Sequence, residues 1–283
     1  MQDLPLSQPE NTPPPPASRE SGWRVWMVTA VCLLLAAAAA YYLVQWSGSD
    51  QRAREAQAPA SRQSTPPAAR TPLGPHVEAT DLPPLDLSDP FVRDLLKSLS
   101  SRPELAAWLA SDGLIRNIAA SVDAIANGTT PSTQLRRLAP SGPFVAEPKG
   151  EEFVIDPRSY ERFDGIAATA AALDPDGVAR AYAMLRPRLQ EAYRELGYPD
   201  GNFDDAVERA IVRLLNTPIV NEEVDVRPAP VLYQFTDTRL ERLSPPQKQL
   251  LRMGPRNVRI IKDKLREVAR ALGIPDERLP SAP

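Results

Sequence analysis

The chain has 283 residues, of which 33 are basic and 36 acidic, giving a formal net charge of −3 at pH 7. That balance argues against general nucleic-acid binding and leaves room only for a local basic patch. The single cysteine, Cys32, and the single histidine, His76, both precede the region expected to fold. A disulfide, a Cys/His zinc site, a cysteine nucleophile and a Ser-His-Asp triad are therefore excluded there.

Residues 1–22 contain PENTPPPPAS and read as a disordered tail. From Val25 to Val44 the chain runs twenty residues without a charge. At about 1.5 Å per residue such a helix matches a hydrocarbon core of about 30 Å. Trp23 and Trp26 stand at one end and Tyr41, Tyr42 and Trp46 at the other, where aromatic side chains favour the two interfaces. A transmembrane helix is expected over 23–46. The alternative is a cleaved signal peptide, with Val25–Leu35 as its apolar core and Ala36–Ala40 as a small-residue cleavage site. Arg19 and Arg24 precede the span and Arg52, Arg54 and Arg62 follow it, so counting charges is close to a tie. A short tail before one early span favours a cytoplasmic N-terminus and a domain on the far side.

Residues 47–84 are rich in Pro, Ala, Ser and charge and poor in large apolar groups, so a disordered linker is expected. Such a segment buries too little to offset an ordering cost of roughly 1–2 kcal/mol per residue. A globular domain is expected over 85–274, followed by a disordered tail over 275–283.

Helical periodicity dominates that domain. SDPFVRDLLKSL opens with Ser88/Asp89 as cap and Pro90 in the first turn, and Ser101–Glu104 has capping-box form. DGLIRNIAASVDAIANG sets Leu114, Ile118, Val122 and Ile125 on one face and closes at Asn127-Gly128. FVAEPKGEEFVI predicts a hairpin at Pro148-Lys149-Gly150, and Asp156-Pro157 a helix bearing Tyr160, Phe163, Ala167 and Ala170. A long helix follows Asp174-Pro175 to Gly197, with Pro187 expected to bend or split it. DDAVERAIVRLLN adds another helix and EVDVRPAPVLYQF two short strands. Ser244-Pro-Pro-Gln247 caps a helix, and Pro255 opens the last, with Val258, Ile261, Leu265, Val268 and Leu272 inward. The expected fold class is mainly α, with one or two short β-hairpins.

LPPLDLSDPFVRDLL, LSSRPELAAWLASDGLIR, AIANG, ELGYPDGNFDDAVERAI and LSPPQKQLLRMGPRNVR are landmarks spread along residues 82–274, the stretch over which the resemblance runs. On these landmarks the chain resembles a bacterial family of membrane-anchored proteins catalogued as domain of unknown function 3014. The resemblance implies a membrane anchor, a Pro-rich tether and one domain, and supplies no activity and no catalytic residues.

The strongest candidate site is LLRMGPRNVRIIKDKLREVA, residues 250–269. Pro255 at a helix start leaves the next amides pointing outward, and Arg252, Arg256, Asn257 and Arg259 surround the break, so a carboxylate or phosphate could be clasped. The alternative is the solvated face of an amphipathic helix, with Asp263 and Glu267 as partners. Asp200, Asn202 and Asp204 alternate like the start of a calcium loop, but Asp205 replaces the needed Gly and Ile211 the bidentate Glu. A turn and helix cap explain the same residues. Glu151/Glu152 and Glu222/Glu223 are the carboxylate pairs open to hydrolytic chemistry, though adjacent acids are more often solvated. Trp108, Tyr160, Phe163, Tyr182 and Tyr193 have helical spacing that suits a core better than a groove. No cofactor and no metal are expected.

The expected function is a non-enzymatic binding or scaffold module on the bacterial inner membrane, single-pass, with its domain in the periplasm. Val25–Val44 would meet the lipid bilayer. An envelope protein, peptidoglycan or an anionic head group would be the partner. The alternatives are a carboxylate-dependent hydrolase of envelope polymers and a cytoplasmic-facing adaptor.

Overall fold

The structure is a computed structural model that describes residues 71–78, 81–140, 142–150, 152–229 and 233–281. The expected tail 1–22, the apolar span 23–46 with Cys32, and the linker as far as residue 70 lie outside the described residues. Among the described residues no helix is long and apolar enough to cross a membrane. The described part falls in one compact unit, Thr71–Pro283.

Among those residues the unit is mainly helical with one small sheet. Three helices come first: α1 (Asp89–Lys97), α2 (Pro103–Leu109) and α3 (Leu114–Ala126). Strands β1 (Ala146–Lys149) and β2 (Glu152–Ile155) follow, then α4 (Arg158–Glu161), α5 (Asp164–Ala171), α6 (Pro175–Glu195) and α7 (Phe203–Leu215). Strands β3 (Asp225–Arg227) and β4 (Gln234–Phe235) precede α8 (Thr238–Glu241), α9 (Pro245–Leu251) and α10 (Gly254–Ala271).

The largest core lies where α3 packs on α6 and α7 and α10 crosses α5, α6 and α7. The apolar face read for α3 is the one that packs: Leu114 is fully buried, and Ile118, Val122 and Ile125 lie against the core. Each fully buried leucine contributes roughly 1.5–3 kcal/mol relative to exposure. The last helix also turns its predicted face inward, with Val258 and Leu272 buried and Ile261, Leu265 and Val268 partly so. The five aromatics read as core residues pack in the core: Phe163 and Tyr193 are buried, and Trp108, Tyr160 and Tyr182 lie partly buried against it.

The two predicted strand pairs are one antiparallel sheet, ordered β1-β2-β3-β4, rather than separate hairpins. Phe153 of β2 pairs with Val226 of β3, and Val226 with Phe235 of β4. Local sequence predicts each strand pair, but the β2–β3 contact joins residues separated by four helices. A second core of Ile155, Val224, Val226, Phe235 and Leu251 lies against this sheet.

Several local expectations are corrected. Asp89 does not cap its own helix: its two carboxylate oxygens accept from the Gly113 and Leu114 amides, both at 2.8 Å, at the start of α3. Arg93, one turn on, donates to the Leu109 and Ser111 carbonyls at the end of α2. One helix thus places an acid at a neighbour's N-terminus and a base at another's C-terminus, as the helix dipole favours. The Ser101–Glu104 capping box is absent, and α2 begins without a side-chain cap. By contrast, the Gln247 side-chain oxygen accepts from the Ser244 amide and hydroxyl at the start of α9. Pro187 does not split α6, which runs unbroken for 21 residues.

The folded unit also begins earlier than Leu85. Leu73 and Leu82 are buried, the Leu73 amide donates to Asp204 (3.1 Å) and the Gly74 amide to the Leu272 carbonyl (2.9 Å). Arg188 donates to the Leu82 carbonyl (2.7 Å). Two leucines and three hydrogen bonds tie this stretch to the rest of the unit, a long-range attachment that composition does not report. His76 consequently lies in the folded unit, beside Ala183 and Arg186 of α6. At the other end, residues 275–281 are not a free tail. Asp276–Arg278 form a 3-10 turn, Leu279 packs on the main core, and the Ser281 carbonyl accepts from Arg266 (3.0 Å).

Candidate functional site

The four residues of the predicted basic turn part company. Arg256 pairs with Asp164 at 3.1 Å. Asn257 is buried, and its amide donates to Asp164 (2.8 Å), Tyr160 O (3.2 Å) and Met253 O (3.0 Å). Arg259 meets the Asn221 side chain. These contacts fasten the start of α10 to α4, α5 and the loop before β3. Gly254 makes the fit: its φ is +81°, and a Cβ there would lie 2.5 Å from the Tyr160 ring. Pro255 lines a cavity of about 210 Å³ whose charged walls are Glu147, Asp156, Glu222 and Glu223. An anion at this helix start would face carboxylates.

Arg252 points elsewhere. It closes α9 and lines a larger cavity, about 460 Å³, together with Phe144, Phe163, Tyr233, Gln249 and Arg162. Pro140, Pro228 and Ala229 complete its described walls. The guanidinium of Arg252 lies over Phe235, 4.8 Å from the ring centre, and donates to the Tyr233 carbonyl at 3.0 Å. Arg162, at the end of α4, donates to the Ser159 carbonyl (3.2 Å) and the Gly142 carbonyl (2.8 Å). Its guanidinium stands 5.4 Å from the Phe163 ring centre and 6.0 Å from that of Phe144. Phe144 in turn sits 5.3 Å from Tyr233. The rings hold the cations by their faces and the carbonyls hold them by some of their N–H groups.

Among the described residues, neither arginine has an ion-pair partner, and no acid lines the cavity. Glu241 acts on Arg252 through its charge, but its oxygens are taken by Lys248 Nζ (2.7 Å) and the Phe235 amide (2.9 Å). Burial lowers the pKa of both guanidiniums, and Glu241 partly opposes this at Arg252. Both remain charged, because arginine does not lose its proton in proteins. The result is an aromatic cleft with two positive groups and no acid among its described lining. Such a cleft can take an anionic group attached to an apolar body.

The other predicted candidates have structural uses. Asn202 caps α7 by accepting from the Asp204 amide (2.9 Å). Asp204 accepts from the Tyr182 hydroxyl and the Leu73 amide, so the calcium-like stretch secures the entering chain. Glu223 holds Lys149 at 2.8 Å, while Glu151 lies outside the described residues. Among the described residues no group of three or more His, Cys, Asp or Glu side chains is placed to hold a metal ion.

Residues 114–269 match the family model described as "Protein of unknown function (DUF3014)". The chain belongs to this family. The match covers more than half of the chain and takes in Arg162, Gln249 and Arg252, so the cleft is built from the family's own region. No curated protein and no solved structure matches the chain.

Arg162, Phe144, Tyr233 and Gln249 escaped sequence reading. They come from four separate loops and helix ends, with no shared period. The one local signal is that neither Arg162 nor Arg252 has an acid three or four residues away, the spacing at which a helical arginine finds its partner.

Proposed function

We propose that this chain is a single-pass protein of the bacterial inner membrane whose folded unit is a non-enzymatic binding module. In this reading the Arg162/Arg252 cleft takes an anionic group of an envelope partner. The carrying observation is the cleft itself: two arginines, aromatic walls and no acid among its described lining. Fixed cations lacking an internal counter-ion favour an external one, and the rings supply apolar area for the rest of the ligand.

The membrane part rests on sequence, on the uncharged run Val25–Val44 and its aromatic flanks. Hydrolysis is the weaker reading because three of the four acids lining the second cavity are engaged with cations. Glu223 is paired with Lys149 and Asp156 with Arg158. Hydrogen bonds from Arg158 hold the Asp156 carboxyl below the usual carboxylate range, the opposite of what a general acid needs.

Two measurements test this. Alkaline phosphatase fused after Pro283 is expected to be active, and the full-length chain to stay with membranes in carbonate. A well-expressed inactive fusion would place the unit in the cytoplasm and make the chain an adaptor there. For the cleft, thermal unfolding of the full-length chain is followed with anionic, neutral and cationic small molecules of matched apolar bulk. Anionic members should raise the midpoint, since a ligand at 100 times its Kd adds about 2.7 kcal/mol. A flat response across the whole anionic set sinks the binding site.

A further inference from the structure

Building on that reading of the cleft, we infer that its ligand is the carboxyl terminus of a peptide with a large apolar last residue. The cations are guanidiniums, whose planar edges match a carboxylate by two parallel N–H···O bonds. Each guanidinium has five N–H groups. Arg162 commits two of them, to Ser159 and Gly142, and Arg252 commits one, to Tyr233. Enough remain for both oxygens of a carboxylate, and the committed bonds fix the side chains before a ligand arrives.

The walls separate a carboxylate from a phosphate. Phe144, Phe163, Pro140 and Pro228 are apolar, the Tyr233 ring is apolar but for its hydroxyl, and no lysine is among the described lining. A doubly charged phosphate would also bring a further hydrated oxygen against the rings of Phe144 and Phe163, which carry no donor. A carboxylate has two oxygens in one plane, and its next carbon already belongs to the apolar body.

Gln249 separates a peptide from a simple fatty or aryl acid. It lines the same cleft and is exposed, and its side chain makes no hydrogen bond among the described residues. Its amide both donates and accepts, which complements the N–H and C=O of a peptide group close to a terminal carboxylate. A simple acid offers it nothing. The volume, about 460 Å³, suits a terminal aromatic residue with its neighbouring peptide units.

The test is calorimetric titration of the full-length chain with four probes: acetyl-Ala-Ala-Phe as the free acid, its C-terminal amide, 3-phenylpropionate and phenyl phosphate. The free acid should bind at least tenfold more tightly than the amide. Arg162→Gln or Arg252→Gln should weaken it tenfold or more. Gln249→Leu, at an exposed position, should weaken the peptide acid while leaving 3-phenylpropionate unchanged. Far-UV circular dichroism checks folding. Should a glutamine variant unfold, Arg162→Lys or Arg252→Lys keeps the charge without the fork and should still lose affinity. Tighter binding of phenyl phosphate than of either carboxylate overturns this ligand class yet leaves an anion-binding cleft standing. Equal binding of acid and amide, or no binding of any probe, overturns both.

Discussion

Basic side chains serve differently in the helical core and at the sheet. Around the core they end on helix C-termini: Arg93 on α2, Arg213 on Ala126 of α3 (3.0 Å), Lys264 on Leu173 after α5 (2.9 Å) and Lys262 on Thr217 after α7 (2.6 Å). There the charge satisfies carbonyls that would otherwise lack partners and opposes the negative end of each dipole. At the sheet, Arg162 and Arg252 also touch carbonyls, but they lean on rings and keep donors to spare. A cation buried at a helix end is part of the fold. A cation held against aromatics with no acid bonded to it keeps donors free for a ligand.

That contrast can be broken at three points. The largest effect is expected at Asp89→Ala, which strips two amides at the start of α3 and the ion-pair neighbour of Arg93. Urea unfolding should show a loss of about 1–2 kcal/mol, in line with helix caps elsewhere. A loss near zero would mean that water replaces the cap and that the core side is not held by its helix ends.

Lys262 gives a smaller effect, read as a slope with pH. Burial lowers its pKa from the ordinary 10.5, Arg266 lowers it further, and Asp263 opposes. Between the lowered folded value and 10.5 the unfolded chain holds more protons at this site. Stability contributed by the site therefore rises with pH across that window. Unfolding of the wild type compared with Lys262→Met should show the wild type gaining as pH climbs towards 10.5. A parallel pair of curves would show that the amine titrates as if solvated.

The smallest stability effect is expected at Arg252→Gln. It removes one hydrogen bond and one ring contact, about 1 kcal/mol or less, because no paired carboxylate is orphaned. A cost exceeding that of Asp89→Ala would reclassify the cleft arginine as part of the fold.

Periodicity made the helical core legible, since one residue in three or four reports the buried face and α3 and α10 obey it. Sequence also separated the strands from the helices. What it could not supply was partnership at long range. Asp89 looked like the cap of its own helix because capping is usually local, and only the fold brings Gly113 to it. The β2–β3 pairing is hidden for the same reason. Of the candidate site, Arg252 was legible as a basic residue at a helix break. Its neighbours Arg162, Phe144 and Tyr233 were not, because loops carry no period. The residues of 250–269 do not form one patch, because Arg252 lines one cavity while Arg256 and Asn257 meet Asp164.

The entering chain has a mechanical consequence. Leu73 and Gly74 are the first residues after Thr71 whose amides are bonded to the rest of the unit, through Asp204 of α7 and Leu272 just past α10. A pull applied at Thr71 is thus received by two long helices rooted in the largest core. Tension at this entry point would load the helical core first.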